Sequence, residues 1–189
     1  MPVDESRQLF TRRSLAVAAG MLLVFVVILH LEGRIAWGKT GFGLWSDAWT
    51  HTTSQHLADP YTLSHFLHGV IFYWALRWLK WPLPWRLIAA LTLELGWEVL
   101  ENSPPIIERY RSQTASLDYT GDTILNSLGD ALAAMAGFAF AARYAWQAAV
   151  VAFGVLELAA LYLARDNLTL NVLMLAFPLE AVVDWQLAR

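Results

Sequence analysis

The stretch Leu91–Gly137, LTLELGWEVLENSPPIIERYRSQTASLDYTGDTILNSLGDALAAMAG, decides how this chain is read. It carries Glu94, Glu98 and Glu101 on one apolar segment, with Asp118, Asp122, Asn126 and Asp130 on and before the next. Carboxylates are costly in segments apolar enough for lipid, and they face a protein interior or a water-filled cavity when they occur there. The stretch therefore predicts two helices of a membrane bundle that turn acidic faces onto one polar site.

Composition points the same way. Hydrophobic residues make up 57% of the 189 and charged residues 15%, against about 45–50% and about 25% in an average soluble domain. At about 20 residues per crossing, the expected fold class is all-α, a polytopic membrane helix bundle of about six transmembrane helices. They form a single transmembrane domain, residues 14–189, after a cytoplasmic N-terminal tail, residues 1–13. The absence of cysteine excludes disulfides, thiolate catalysis and Cys-held metals. The basic residues are scattered, without the stripe that a nucleic-acid partner requires.

Outward from the central stretch, the run Ser14–Leu31 follows Arg12 and Arg13 as a signal peptide would. Its length, and the lack of a small-x-small site directly after it, favour an uncleaved first span. Glu32–Pro60 is too polar to cross, and its Trp37, Phe42, Trp45 and Trp49 suit the headgroup level of a bilayer. Further spans are expected at about Tyr61–Leu79, Arg86–Asn102, Asp122–Arg143 and Ala145–Ala164, with Ser103–Gly121 as a polar loop. An aspartate in the first turn of the fourth span suits the positive end of a helix. Leu168–Leu187 contains Pro178, Glu180 and Asp184, and reads as a kinked sixth span or, alternatively, as a re-entrant segment. Gly129, Ala133 and Gly137 make a small-residue ridge on which another helix packs closely.

With six spans and the N-terminus inside, Arg7, Arg12, Arg13, Arg77, Lys80, Arg86, Arg143 and Arg189 fall on the cytoplasmic side. Arg34, Lys39, Arg109, Arg111 and Arg165 fall outside, which favours cytoplasmic N- and C-termini in the inner membrane. That topology brings His65, His68, Glu98, Glu101, Asp118, Asp122 and Asn126 to one depth. His65 and His68 share a helix face, as do Glu94, Glu98 and Glu101.

Imidazole and carboxylate together suit a divalent cation, with His65, His68, Glu98 and Asp122 as candidate ligands. Paired carboxylates also serve acid–base chemistry, for which Glu98, Asp122, His65 and Glu101 are the candidates. Arg109 and Arg111 are positioned to hold a phosphate, with Asn126 and Asp118 as further substrate contacts. The expected activity is recognition or processing of a lipid-linked phosphate in a periplasm-facing pocket. A purely structural polar network competes with it, and Glu94 and Asp130 fit structural pairing equally well. A transporter or proton pathway along Glu94, Asp130, Glu157 and Glu180 also competes, as does a structural membrane partner using the glycine ridge. Oligomeric state is not specified by the sequence. His30, His51 and His56 read as solvated, with His56 and Asp59 able to lean over the pocket.

At SHFLHG (Ser64–Gly69), LELGWEVLENSPPIIERYR (Leu93–Arg111) and DYTGDTILNSLGD (Asp118–Asp130) the chain resembles uncharacterised protein family 0314. That family comprises bacterial multi-pass inner-membrane proteins of unknown function, so the resemblance implies a membrane location. His65, Glu98, Asp122, Asn126 and Gly129 also give it a remote likeness to the VanZ-like membrane proteins. The long aromatic first loop and the Pro104–Pro105 break depart from that second pattern.

Overall fold

The computed structural model describes residues 8–115 and 119–188, and every regular element among them is helical. The first helix, α1 (Arg12–Leu31), starts two residues before the expected span because Thr11 and Ser14 form a reciprocal cap. Ser14 N–H donates to Thr11 Oγ1 at 3.1 Å, and Thr11 N–H donates to Ser14 Oγ at 2.8 Å. Such a cap satisfies amides left free at a helix start. Only Ser14, Phe25 and Leu29 of α1 are buried, so its remaining apolar surface is free to face lipid.

The next helices are α2 (Thr62–Leu76), extended by a 3-10 turn over Arg77–Leu79, and α3 (Leu83–Glu101). Asp59 caps α2 by accepting Tyr61 N–H at 2.8 Å. The expected loop 103–121 instead contains a helix, α4 (Pro104–Gln113). The Pro104–Pro105 pair that ends α3 also opens α4, since proline's fixed φ suits the first helical turn, where its missing N–H costs nothing.

Helix α5 (Ile124–Arg143) begins after Thr123, which accepts Asn126 N–H at 3.2 Å. Asp122 therefore lies just outside the helix rather than in its first turn. α6 (Trp146–Ala164) ends at Arg165, in the left-handed conformation at φ 52°.

The central pair is α2 against α5, brought backbone to backbone by glycines on both. A Cβ at Gly69 would lie 1.7 Å from the Ala134 carbonyl oxygen, and one at Gly137 would lie 1.9 Å from that of Phe66. Gly129 approaches the Leu57 carbonyl in the same way, at 1.8 Å. The ridge is thus consumed inside the protein, and Ala134, fully buried, takes the place expected of the half-buried Ala133. Around this pair, Phe25 and Leu29 of α1 pack on Leu91, Leu95, Ile124 and Ala131. Leu83, Leu87, Ala90 and Phe138 fill the opposite end, and Val70 and Ala141 meet Ala149 of α6.

The last apolar stretch is not one continuous helix, and its fold follows the re-entrant alternative more closely than a kinked span. Leu168–Leu187 folds into two short helices, α7 (Leu168–Ala176) and α8 (Glu180–Leu187), broken around Pro178. The Arg165 guanidinium donates to the carbonyls of Trp185, at 3.0 Å, and Ala188, while Gln186 Nε2 returns a bond to the Arg165 carbonyl at 3.0 Å. The chain therefore doubles back to where α6 ended. Leu9 packs on the Leu83–Leu87 cluster at the other end of the bundle. Leu9 and the end of α8 therefore lie at opposite ends of the bundle.

Among the described residues, three helices, α1, α5 and α6, are long and apolar enough to cross a membrane. α2 has 15 residues, and α3 carries three glutamates, which removes both from that set.

Candidate functional site

The segment before α2 caps the end of the bundle where α3 and α6 finish and α5 begins. Its carbonyls at Ile35, Ala36 and Ser54 accept the amides of Ile124 (2.9 Å), Leu125 (3.0 Å) and Thr123 (3.0 Å). These are amides that the start of α5 leaves without partners of its own. His56 fastens this segment rather than leaning over the pocket, with Nδ1 2.8 Å from the Trp45 carbonyl and Nε2 3.3 Å from Thr40 Oγ1. Asp59 is a buried hub that also accepts Ser54 N–H at 2.9 Å. Burial pushes its carboxyl above the ordinary range, with Asp122 adding to the effect.

Beneath this cover lies a cavity of about 630 Å³. Lys39, Trp49, Thr50, Thr52, Thr53 and Gln55 form its upper wall, and Asp166, Asn171 and Gln186 come from the α6–α8 side. Tyr110, Tyr119, Glu101, Asp122, Asn126, Asp130 and His65 line its depth.

The innermost group is built on three helices. His65 Nδ1 of α2 lies 2.6 Å from Glu94 Oε1 and 3.2 Å from Glu98 Oε1 of α3. His65 Nε2 faces Asp130 Oδ2 of α5 at 4.0 Å, and His68 Nδ1 meets Glu94 Oε2 at 3.1 Å. Glu94 and Glu98 are wholly buried, and Asp130 and Asn126 nearly so. Both oxygens of Glu98, Glu101 Oε2, Asp130 Oδ1 and Asn126 Nδ2 have no hydrogen-bond partner among the described residues. Two sets of side chains offer ligand atoms within 4.8 Å of one another: His65, His68 and Glu94, and His65, Glu98 and Glu101.

Asp122 is differently employed. Asn102 Nδ2 donates to its Oδ2 at 2.9 Å, Tyr119 donates to its Oδ1 at 3.0 Å, and its own N–H goes to Asn102 Oδ1 at 2.7 Å. Those bonds tie the α3 end to the α5 start, and Asp122 belongs to neither of the two ligand sets. Tyr110 donates its one phenolic proton to Glu101 Oε1 (2.9 Å), and the Asn171 side-chain amide lies 3.0 Å from the same phenolic oxygen. Burial holds the Tyr110 and Tyr119 phenols well above their ordinary value, with Glu101 and Asp122 respectively adding to it, so both act as donors.

Neither expected phosphate anchor lines the cavity. Arg109 donates from Nε (3.1 Å) and Nη2 (2.8 Å) to the Leu175 carbonyl, pinning the end of α7, and Arg111 is exposed. Asp118 lies outside the described residues. Glu157 accepts Leu168 N–H at 2.9 Å and Thr169 N–H at 3.2 Å, which caps α7. Sequence reading missed Asn102, Tyr110, Tyr119, Asp166 and Asn171. Asn102 alone carried a signal, four residues beyond Glu98 on the same face.

A family model described as a protein of unknown function, DUF2585, matches residues 29–188. The UPF0314 protein Atu8092 of Agrobacterium fabrum is 46% identical over 192 residues, covering 98% of this chain and 94% of that protein. A UPF0314 protein of Paracoccus denitrificans is 46% identical over 190 residues, covering 96% and 97%. UPF0314 protein R03235 of Rhizobium meliloti is 47% identical over 176 residues, covering 91% and 89%. No solved structure matches the chain.

Proposed function

We propose, since this chain belongs to the UPF0314 family, that it is a multi-pass inner-membrane protein whose cavity receives the polar head of a lipid-linked phosphate. The N-terminus lies on the cytoplasmic side, and the cavity opens toward the periplasm. The observation that carries this reading is the blind end of the cavity. Polar groups run from Lys39 at the mouth to His65 in the depth, and beyond His65 the bundle is closed by Leu83, Leu87, Ala90 and Phe138.

A blind polar cavity in an apolar bundle suits a headgroup, whose hydrocarbon tail remains outside among the helices. Exposed Trp37, Phe42 and Trp45 on the covering segment suit the depth at which such a headgroup sits. At the mouth, Lys39 supplies the positive charge, while the hydroxyls of Thr50 and Thr53 donate to the Asp47 carbonyl and hold the covering segment in shape. Arg109, committed to α7, is not among them. The carboxylate ladder required by a proton pathway is interrupted, because Glu157 caps α7 and Glu180 is exposed on α8.

The test compares a polyprenyl phosphate with the corresponding polyprenol in nanodiscs, read by quenching of the cavity-wall Trp49. Preference for the phosphate by roughly tenfold, or 1.4 kcal/mol, with loss of that preference in Lys39→Ala, is the expected result. Equal affinity for both lipids overturns the reading.

A further inference from the structure

The deepest carboxylates have more acceptor capacity than the protein satisfies. Glu98 is wholly buried, and neither of its oxygens accepts a hydrogen bond. Glu98 Oε1 comes within 3.2 Å of His65 Nδ1, but that ring nitrogen is taken by Glu94 at 2.6 Å, and a buried acceptor left without a hydrogen bond costs roughly 1–3 kcal/mol. Among the described residues, the ion pairs of this cluster are made by imidazole alone, and no Lys or Arg pairs with these carboxylates. Glu94, Glu98, Glu101 and Asp130 thus converge on His65.

We propose that His65, Glu98 and Glu101, with Asp130 opposite, form a site for a divalent transition-metal cation such as Zn²⁺ or Mn²⁺, and that Glu94 is its positioning residue. Ligand atoms of His65, Glu98 and Glu101 lie within 4.8 Å of one another. Atoms bound about 2.0–2.2 Å from a common ion are separated by up to about 4 Å, so a side-chain adjustment of under about 1 Å closes the set. Asp130 faces the second ring nitrogen of His65 and keeps Oδ1 unpartnered, which provides a further oxygen.

Glu94 spends its two oxygens on the Nδ1 atoms of His65 and His68, at 2.6 and 3.1 Å. A carboxylate so placed fixes the orientation of a ligating imidazole and strengthens it as a donor to metal. The mixture of imidazole and carboxylate favours these ions over Mg²⁺ or Ca²⁺, which prefer oxygen alone. Glu101 and His65 border the cavity, so the ion is reachable from it. The site stands whether or not the cavity takes a lipid.

The test uses the full chain in detergent with no lipid added, stripped with a chelator and dialysed against ZnCl₂ or MnCl₂. Elemental mass spectrometry is expected to give about one ion per chain, reduced roughly tenfold or more in His65→Ala and Glu98→Gln and unchanged in Glu180→Gln. Glu94→Gln is expected to weaken affinity about 10–100-fold while the Mn²⁺ paramagnetic resonance spectrum of its bound form retains nitrogen coordination. Gel filtration and circular dichroism identify folded variants, and Glu101→Gln, at the half-buried cavity wall, reads the same site if Glu98→Gln does not fold. A folded wild type that binds neither ion overturns the proposal, as do folded variants that bind as wild type does. Metal uptake without phosphate preference in nanodiscs would remove only the lipid reading.

Discussion

Glu94 Oε1 lies 2.6 Å from His65 Nδ1, with the glutamate wholly buried and the histidine nearly so. Removing one member of such a buried pair leaves the other without compensation, at a cost of about 3–5 kcal/mol. Glu94→Gln and His65→Ala are each expected to lower the thermal midpoint in detergent. The double variant should lose less than the sum of the two, by about 0.5–3 kcal/mol. Strict additivity would show that the pair is not coupled.

The contact between α2 and α5 predicts a sharp contrast among glycines. At Gly69 a methyl group would overlap the Ala134 carbonyl, whereas at Gly20 and Gly154 nothing lies within 4 Å. Gly69→Ala is expected to destabilise by about 1–3 kcal/mol or more through overpacking. Gly20→Ala and Gly154→Ala, placed inside helices, should be neutral or stabilising by up to about 1 kcal/mol. Equal midpoints for all three variants would contradict the packing.

Asp166, in the turn between α6 and α7, is raised from 3.8 to about 6 by burial, with Glu157 adding to the effect. Its folded-state pKa exceeds the unfolded one, so its contribution is fully present below pH 3.8 and is lost as pH rises through about 6. The size is at most about 3 kcal/mol. Relative to wild type, Asp166→Asn should gain stability between pH 4 and pH 7. A wild-type-minus-variant difference that stays flat with pH would contradict this environment.

The doubled-back C-terminal segment predicts opposite labelling of the two ends of the described chain. With no native cysteine, Leu9→Cys and Ala188→Cys can be probed singly with a membrane-impermeant maleimide in spheroplasts. Ala188→Cys should label from the periplasmic side, and Leu9→Cys only after permeabilisation. Labelling of both from one side would restore the even number of crossings.

Much of the site could be read from sequence because its physics is local. His65 and His68 share a helix face by spacing, as do Glu94, Glu98 and Glu101, and buried charge forces such faces together. Hence the meeting of α2, α3 and α5 around polar residues was legible. The sequence leaves the stretch around Pro178 open between a kinked span and a re-entrant segment, since twenty mostly apolar residues satisfy a length rule whether they cross or fold back. What decides between them is Arg165 meeting the carbonyls of Trp185 and Ala188, a contact made only in three dimensions. Arg109 misled for a related reason: next to an acidic site in sequence, it turns to the free carbonyl at Leu175. Helix α4 was hidden by a proline pair that reads equally as an end and as a beginning.

The carbonyls of Ile35 and Ala36 complete the first turn of α5, and this has a consequence for biosynthesis. Translation delivers the covering segment first, then two helices and α4, before the amides it is to hold. Until Leu125 has emerged, that segment has no anchorage on α5. The cavity is consequently covered by a stretch of chain that precedes, in order of synthesis, every helix that lines it.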